Sequence, residues 1–244
     1  MKPTAVPFLV SLALVVPSCE KQPATEPSST ATEESVEKDA WRDADIPILP
    51  VENGDMWEYE AKVEIPAGVT SRGAAAVQTS FTRTRRYLGK VKPAEELPAT
   101  DCFQVTVPGS PDEREFVEIH EDRVLLRGSL IMRPETTRPL WYEHPVPFVE
   151  AGMRPGTEAP GISAGGGAMV RRIQVIAREK VTVPAGEYDA IRLLMTGTDG
   201  DMELRRTIWF APGTGIVREE KTRYRGDRLL FREEQSLART NVGR

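Results

Sequence analysis

Apolar and polar residues alternate along much of the chain, a pattern typical of β-strands with one buried face. In the clearest run, Met56–Ile65, every second residue from Trp57 to Ile65 is apolar and the residues between them are charged. Comparable runs predict further strands at 77–88, 102–107, 114–120, 123–131, 168–183, 187–198, 202–211, 215–224 and 228–236. Since antiparallel sheets often expose one face to water, this alternation favours an antiparallel arrangement.

Turn signals separate these runs. Pro184-Ala185-Gly186 and Pro212-Gly213 each place proline and glycine between two β-prone segments, and Asp199-Gly200-Asp201 and Arg225-Gly226-Asp227 predict tighter reversals. Helical periodicity does not extend beyond two turns anywhere in the chain. The sequence therefore predicts an all-β fold: a large curved antiparallel meander. About ten strands should curl into a half-open barrel or fold into two layers.

The alternation of apolar and polar residues is interrupted between residues 132 and 167, which contain six prolines and six glycines. We predict a long Pro/Gly-rich loop here, because extended irregular stretches in compact domains are typically functional or disordered. Trp141, Tyr142 and Phe148 supply the apolar bulk of this segment. If the fold has a ligand site, we expect these three side chains to line it.

The N-terminus has the pattern of an exported protein. An apolar run at 5–16 is too short to span a bilayer but suits a signal peptide, and Val16-Pro17-Ser18-Cys19 follows it. This ending resembles the lipobox of bacterial lipoproteins, which implies removal of residues 1–18 and acylation of Cys19. A plain secretory signal with a free cysteine is the alternative.

Residues 19–45 are rich in Pro, Thr, Ser and Glu and lack apolar periodicity, so we predict a disordered tether. As a flexible coil such a segment reaches on the order of 30 Å. One antiparallel β domain should follow over 46–240. The residue after Cys19 is Glu20 and not the aspartate that retains lipoproteins in the inner membrane. The resemblance therefore implies an outer-membrane anchor facing the periplasm.

Composition excludes some classes of function. The net charge of −5 and the 7% aromatic content give no support to nucleic-acid binding. With Cys19 acylated, Cys102 is the one remaining thiol, so an internal disulfide is not expected. Cys102 lies in a strand-like run, where we expect a buried and inert side chain.

Candidate chemistry is sparse. Only two histidines, His120 and His144, are present, and neither has the spacing of a metal site. Gly161-Ile162-Ser163-Ala164-Gly165 has the spacing of a Gly-x-Ser-x-Gly motif, but no helix is predicted after it, as a nucleophile elbow requires, and Gly165-Gly166-Gly167 lacks the residues of a phosphate loop. We therefore predict no catalytic residue, metal or cofactor. The cluster formed by Arg83, Arg85 and Arg86 is interpreted as a solvated face paired with glutamates across the sheet.

The segments Val-Pro-Ala-Gly-Glu-Tyr-Asp-Ala (183–190) and Trp-Phe-Ala-Pro-Gly-Thr-Gly (209–215) resemble paired strand motifs of a family of uncharacterised bacterial exported proteins and lipoproteins. The resemblance covers roughly residues 170–236. It implies a curved antiparallel sheet similar in shape to periplasmic lipoprotein carriers, and it transfers no catalytic residue.

These observations together predict a lipid-anchored, non-enzymatic module of the cell envelope that binds an apolar or lipid ligand. Its expected partners are the membrane, through Cys19, and either that ligand or another envelope protein. The alternatives are a structural lipoprotein that docks such a partner through a sheet edge or loop, and a hydrolase, which we disfavour.

Overall fold

The computed structural model describes residues 47–69, 74–132, 139–163 and 168–242. The predicted signal peptide, Cys19 and the predicted tether lie outside these residues. Strands and turns make up the described parts, which contain no helix. No candidate membrane-spanning helix is therefore found among these residues.

Twelve strands form the described structure. They are β1 (Met56–Ile65), β2 (Val77–Val91), β3 (Thr100–Thr106), β4 (Glu113–Ile119), β5 (Arg123–Ile131), β6 (Leu140–Glu150), β7 (Glu158–Ser163), β8 (Ala168–Val183), β9 (Gly186–Asp199), β10 (Met202–Ala211), β11 (Gly215–Arg225) and β12 (Arg228–Thr240). The predicted all-β fold is confirmed.

All twelve strands belong to one antiparallel sheet in the order β6-β5-β4-β3-β2-β1-β12-β11-β10-β9-β8-β7. Every neighbouring pair is consecutive in the chain except β1 and β12, which meet in the middle of the sheet. Their junction is reinforced by a 2.7 Å hydrogen bond from the Met56 amide to Asn241 Oδ1, across 185 residues of sequence. The sheet therefore consists of two meanders, β1–β6 and β7–β12, and they are joined where β1 of the first pairs with β12 of the second.

Contacts between distant strands show that the sheet curls into a half-open barrel, as predicted. Phe148 on β6 packs edge-to-face on Phe210 of β10, with ring centroids 6.0 Å apart. Tyr59 on β1 reaches past β12 and donates a hydrogen bond to the Ile216 carbonyl of β11 at 2.9 Å. The terminal strands β6 and β7 lie at opposite edges of the sheet.

The predicted loop over 132–167 needs correction, because β6 and β7 both lie within it. The prolines explain the error: proline lacks a ladder N–H and is tolerated mainly in edge strands. Pro145 and Pro147 lie in β6, and Pro160 lies in β7. Each of these strands has one neighbour in the sheet. Proline therefore marks the two edges here and not a break in the sheet.

Apolar packing closes one end of the half-barrel, called here the closed end. Ile48 and Leu49 are 2% and 4% exposed, and the Gly213 amide donates to the Ile48 carbonyl. Trp57, with no exposed surface, donates from Nε1 to the Thr214 carbonyl at 2.6 Å. The segment before β1 therefore covers the end where the Pro212-Gly213 turn lies.

A smaller apolar cluster lies on the outer face. It joins Cys102, Phe116 and Leu130, with Trp141 packed against them. Burial raises the pKa of the Cys102 thiol to about 11, so the thiolate that reacts or binds metal is disfavoured. Cys102 is buried, as predicted.

Gly128 is required where β5 meets β6. Its backbone φ angle of +156° is one that residues with a side chain rarely adopt. A Cβ at this position would overlap the Leu140 carbonyl oxygen. The pairing register shifts between Leu126 and Gly128, so glycine permits the irregular approach of the edge strand.

Candidate ligand-binding site

The inner face of β10, β11 and β12 carries three cross-strand rows. Going inward from the end opposite Ile48, called here the open end, the rows are Leu204–Arg223–Phe231, Arg206–Lys221–Glu233 and Ile208–Glu219–Gln235. In antiparallel pairs, directly opposite residues lie on the same face, so each row presents its side chains together. Apolar and basic groups therefore lie outermost, and a buried carboxylate lies below them.

A cavity of about 250 Å³ occupies the open end. Its apolar lining comes from both walls of the half-barrel: Leu126, Leu140, Tyr142, Met195, Leu204 and Phe231. Its basic lining residues are Arg205, Arg206, Lys221 and Arg223. Thr196, Gly197 and Thr222 complete the set, so no described carboxylate lines this space.

Below this cavity the interior is charged but internally paired. Glu219 is 2% exposed and accepts hydrogen bonds from Arg206 and from Gln235. Lys221 Nζ lies 3.6 Å from Glu219 Oε1 and 3.4 Å from Glu233 Oε1. Because buried charges need partners, these contacts hold the rows in one arrangement.

Arginines from β2 complete the network from the other half of the sheet. Arg83 donates to Glu233 at 2.5 Å and to Gln235 at 2.7 Å. Arg85 donates to Glu115 at 2.9 Å and its guanidinium lies 3.6 Å from the centre of the Phe103 ring. These interactions connect β2 to β12 and to β4 through the barrel interior.

The positive groups keep most interior carboxylates ionised. Burial raises the pKa of Glu219, but Arg206 and Lys221 outweigh it and lower that pKa to about 2. Glu233 behaves similarly: burial opposes the shift, and Lys221 and Arg83 lower its pKa. At neutral pH these carboxylates are therefore negative, and they neutralise the basic groups that touch them.

Glu113 is the exception among these carboxylates. Burial raises its pKa, and the neighbouring Glu115 raises it further. Burial also raises the pKa of Glu115, but the charges of Arg85 and Arg206 outweigh burial and lower this pKa overall. The shared cations thus favour the charged form of Glu115 over that of Glu113.

The three predicted ligand-binding side chains do not converge on one site. Tyr142 lines the cavity at the open end. Phe148 is 5% exposed and lies deeper, beside Phe210 and a smaller space of about 140 Å³ that Tyr142 also lines. Trp141 packs in the outer apolar cluster with Phe116, with ring centroids 6.1 Å apart. Neighbouring residues of a strand point to opposite faces, which separates Trp141 from Tyr142.

The basic cluster of β2 lies differently from the prediction. Arg83 and Arg85 are turned into the barrel, with side chains 13% and 12% exposed, and only Arg86 is fully on the solvated side. The predicted pairing with glutamates is present. The sequence carried a signal for this placement. Arg83 and Arg85 lie at alternate positions between Phe81 and Tyr87, and alternate residues of a strand lie on the same face. Arg206, Lys221 and Arg223 of the candidate site were missed for the same reason, because charge was equated with solvent exposure.

The histidines are apart from this site. His120 is 43% exposed and its Nε2 lies 3.7 Å from Glu118 Oε2. His144 is exposed on β6. No group of three or more metal-ligating side chains occurs within the described ranges. The site therefore offers apolar surface and positive charge as its chemistry.

Comparison with known proteins gives similarity of fold. No family model and no curated protein matches the chain. The fold is similar to that of a protein from Bacteroides fragilis NCTC 9343 described as exported, with a YmcC-like fold, at 13% identity and a TM-score of 0.47. It is also similar to a protein from Parabacteroides distasonis ATCC 8503 described as a lipoprotein, at 12% identity and a TM-score of 0.49. Each similarity covers 80% of this chain and 99% of the other.

Proposed function

We propose that the protein is a lipoprotein of the bacterial cell envelope whose half-open barrel binds an apolar or lipid ligand without catalysing a reaction. The observation that carries the binding function is the cavity at the open end. Its apolar side chains come from five strands on both walls of the barrel. Concave sites lined by apolar residues with a few polar groups are typical of small-molecule binding.

The proposed anchor rests on the N-terminal sequence. Acylation of Cys19 would attach the chain to a membrane through several acyl chains, because one chain alone binds only marginally. Glu20 following Cys19 supports an outer-membrane location facing the periplasm. The predicted tether over 19–45 would allow the β domain to bind its ligand away from the lipid headgroups.

Native mass spectrometry of the protein purified from bacterial cell envelopes tests both the anchor and the binding function. We expect a polypeptide beginning at Cys19 with covalent acyl chains, and a second, dissociable mass of one bound apolar molecule. A chain without acylation contradicts the anchor. A protein that carries no dissociable mass, and takes up none when incubated with lipid extract, contradicts the binding function.

A cavity-filling substitution tests the location of the ligand. Leu204→Trp places a larger side chain in the outermost row, so we expect affinity for the neutral fluorophore N-phenylnaphthylamine to fall by about tenfold or more, equivalent to roughly 1.4 kcal/mol. Leu230→Trp is the matched control, because Leu230 is half-buried on β12 and does not line the cavity. Fluorescence titration measures both. Equal affinities in the two variants would place binding elsewhere.

A further inference from the structure

The charge of the cavity lining differs from that of the chain as a whole. The protein has a net charge of −5, yet its open-end cavity is lined by four basic residues and, within the described structure, by no acidic one. A cavity that bound only neutral apolar molecules would gain nothing from this arrangement, because charge near an apolar site carries a desolvation cost. The lining therefore indicates an anionic partner.

Most of the lining cations already have protein carboxylates. Arg206 is paired with Glu219, and Lys221 lies between Glu219 and Glu233. Arg205 donates to Glu203 at 2.8 Å. Arg223 differs from all three: among the described residues it forms no ion pair, and its guanidinium carbon lies 5.5 Å from the centre of the Phe231 ring.

The position of Arg223 suits a headgroup. It is exposed on the outermost row, between Leu204 and Phe231. Lys221 lies one row further in, with its side chain partly exposed. The opposite wall presents the apolar side chains of Leu126 and Leu140. A ligand entering here would meet positive charge on one wall and apolar surface on the other.

We propose that the cavity selects amphiphiles with a single apolar chain and an anionic carboxylate or phosphate headgroup, which Arg223 binds at the open end with support from Lys221. This inference rests on the proposed binding function and adds the chemistry of its ligand. Guanidinium groups bind carboxylates and phosphates through paired, charge-assisted hydrogen bonds, which makes an arginine with no carboxylate partner in the described structure selective for such headgroups.

The size of the cavity sets the number of chains. At about 250 Å³ it lies just below the roughly 300–1,000 Å³ typical of sites that enclose drug-sized ligands. One chain can occupy this space with its headgroup at the rim. A lipid with two or three chains would leave most of its apolar surface in water, which the hydrophobic effect opposes.

Competition titrations against N-phenylnaphthylamine test the selectivity. The mature chain from position 19, carrying Cys19→Ala to remove the anchor, is titrated with dodecanoate, dodecyl phosphate and dodecanol, which differ only in headgroup. We expect at least one of the two anions to bind about tenfold or more tightly than dodecanol, since a charge-assisted hydrogen bond is worth roughly that factor. Which anion binds more tightly identifies the headgroup. Vesicles of two-chain phosphatidylglycerol should compete weakly.

Arg223→Gln should remove the preference for anions, so that dodecanoate, dodecyl phosphate and dodecanol bind with similar affinity. Arg239→Gln is the matched control, since Arg239 is 66% exposed and paired with Glu58 near the closed end. Equal binding of dodecanol and both anions by the unmodified protein, or loss of anion preference in both variants, would overturn the proposal while leaving apolar binding intact. If neither the fluorophore nor any dodecyl compound binds, the proposed function itself fails.

Discussion

Glu219→Gln is expected to lower the free energy of unfolding by about 3–5 kcal/mol, the usual cost of removing one partner from a buried ion pair. Glu219 is 2% exposed and is the carboxylate shared by Arg206 and Lys221. The amide keeps the shape of the side chain but removes its negative charge, so the partly buried Arg206 loses its closest anion. Urea unfolding followed by circular dichroism measures the change from the transition midpoint and slope.

The adjacent residue provides the control. Glu220 faces the other side of β11 and pairs with Arg232 at 3.1 Å, where both side chains are partly exposed. Such pairs contribute about 0–1 kcal/mol, so Glu220→Gln should be nearly neutral. Comparable losses in the two variants would show that Glu219 has no special structural role. Combining Glu219→Leu with Arg206→Met should recover much of the stability, because apolar replacement of a whole buried pair is often tolerated.

Trp57→Ala is expected to destabilise the domain by about 3–5 kcal/mol, as for other large-to-alanine changes at fully buried sites. Trp57 has no exposed surface, packs edge-to-face on Phe103 at 5.6 Å, and donates its indole N–H to the Thr214 carbonyl. The substitution therefore leaves a cavity at the closed end and an unpaired carbonyl in the turn after β10. The shift in the thermal unfolding midpoint measures the loss.

Trp141→Ala is the control for loss of an indole. Trp141 is half-buried on the outer face, beside the smaller cluster of Phe116 and Leu130. Its neighbours can remain in contact with one another when it is removed, so we expect less than half the loss seen at Trp57. A larger loss at Trp141 would mean that the outer cluster, and not the closed end, dominates the stability of the domain.

The strands with regular alternation were predictable because their two faces differ in polarity. Strand β10 was predicted with its observed ends, since Asp199-Gly200-Asp201 and Pro212-Gly213 mark both limits. Strands β6 and β7 were not predicted, because proline removes a ladder N–H. That loss is harmless only at an edge, and edge position is a property of the whole sheet.

The site was harder to predict for a related reason. Tyr142 was identified by its apolar bulk and lines the cavity. Arg223 and Lys221 look like solvent-facing charges in the sequence, and only the closure of the sheet brings their face inside a barrel. The partners of the buried charges come from distant strands, as in the pair of Arg83 with Glu233. Local periodicity assigns a residue to a face but does not say which charges lie on the same face elsewhere.

The meeting of β1 and β12 in the centre of the sheet has a consequence for how the domain folds. Every other strand pair joins sequence neighbours, whose short loops close at little entropic cost. The two meanders can therefore form hairpins early, while the central pair must close a loop of most of the β domain and should be slow. The pair of Arg83 with Glu233 crosses that junction. Until the two meanders join, Arg83 and Glu233 remain hydrated. Their dehydration and their pairing therefore occur in the same late step.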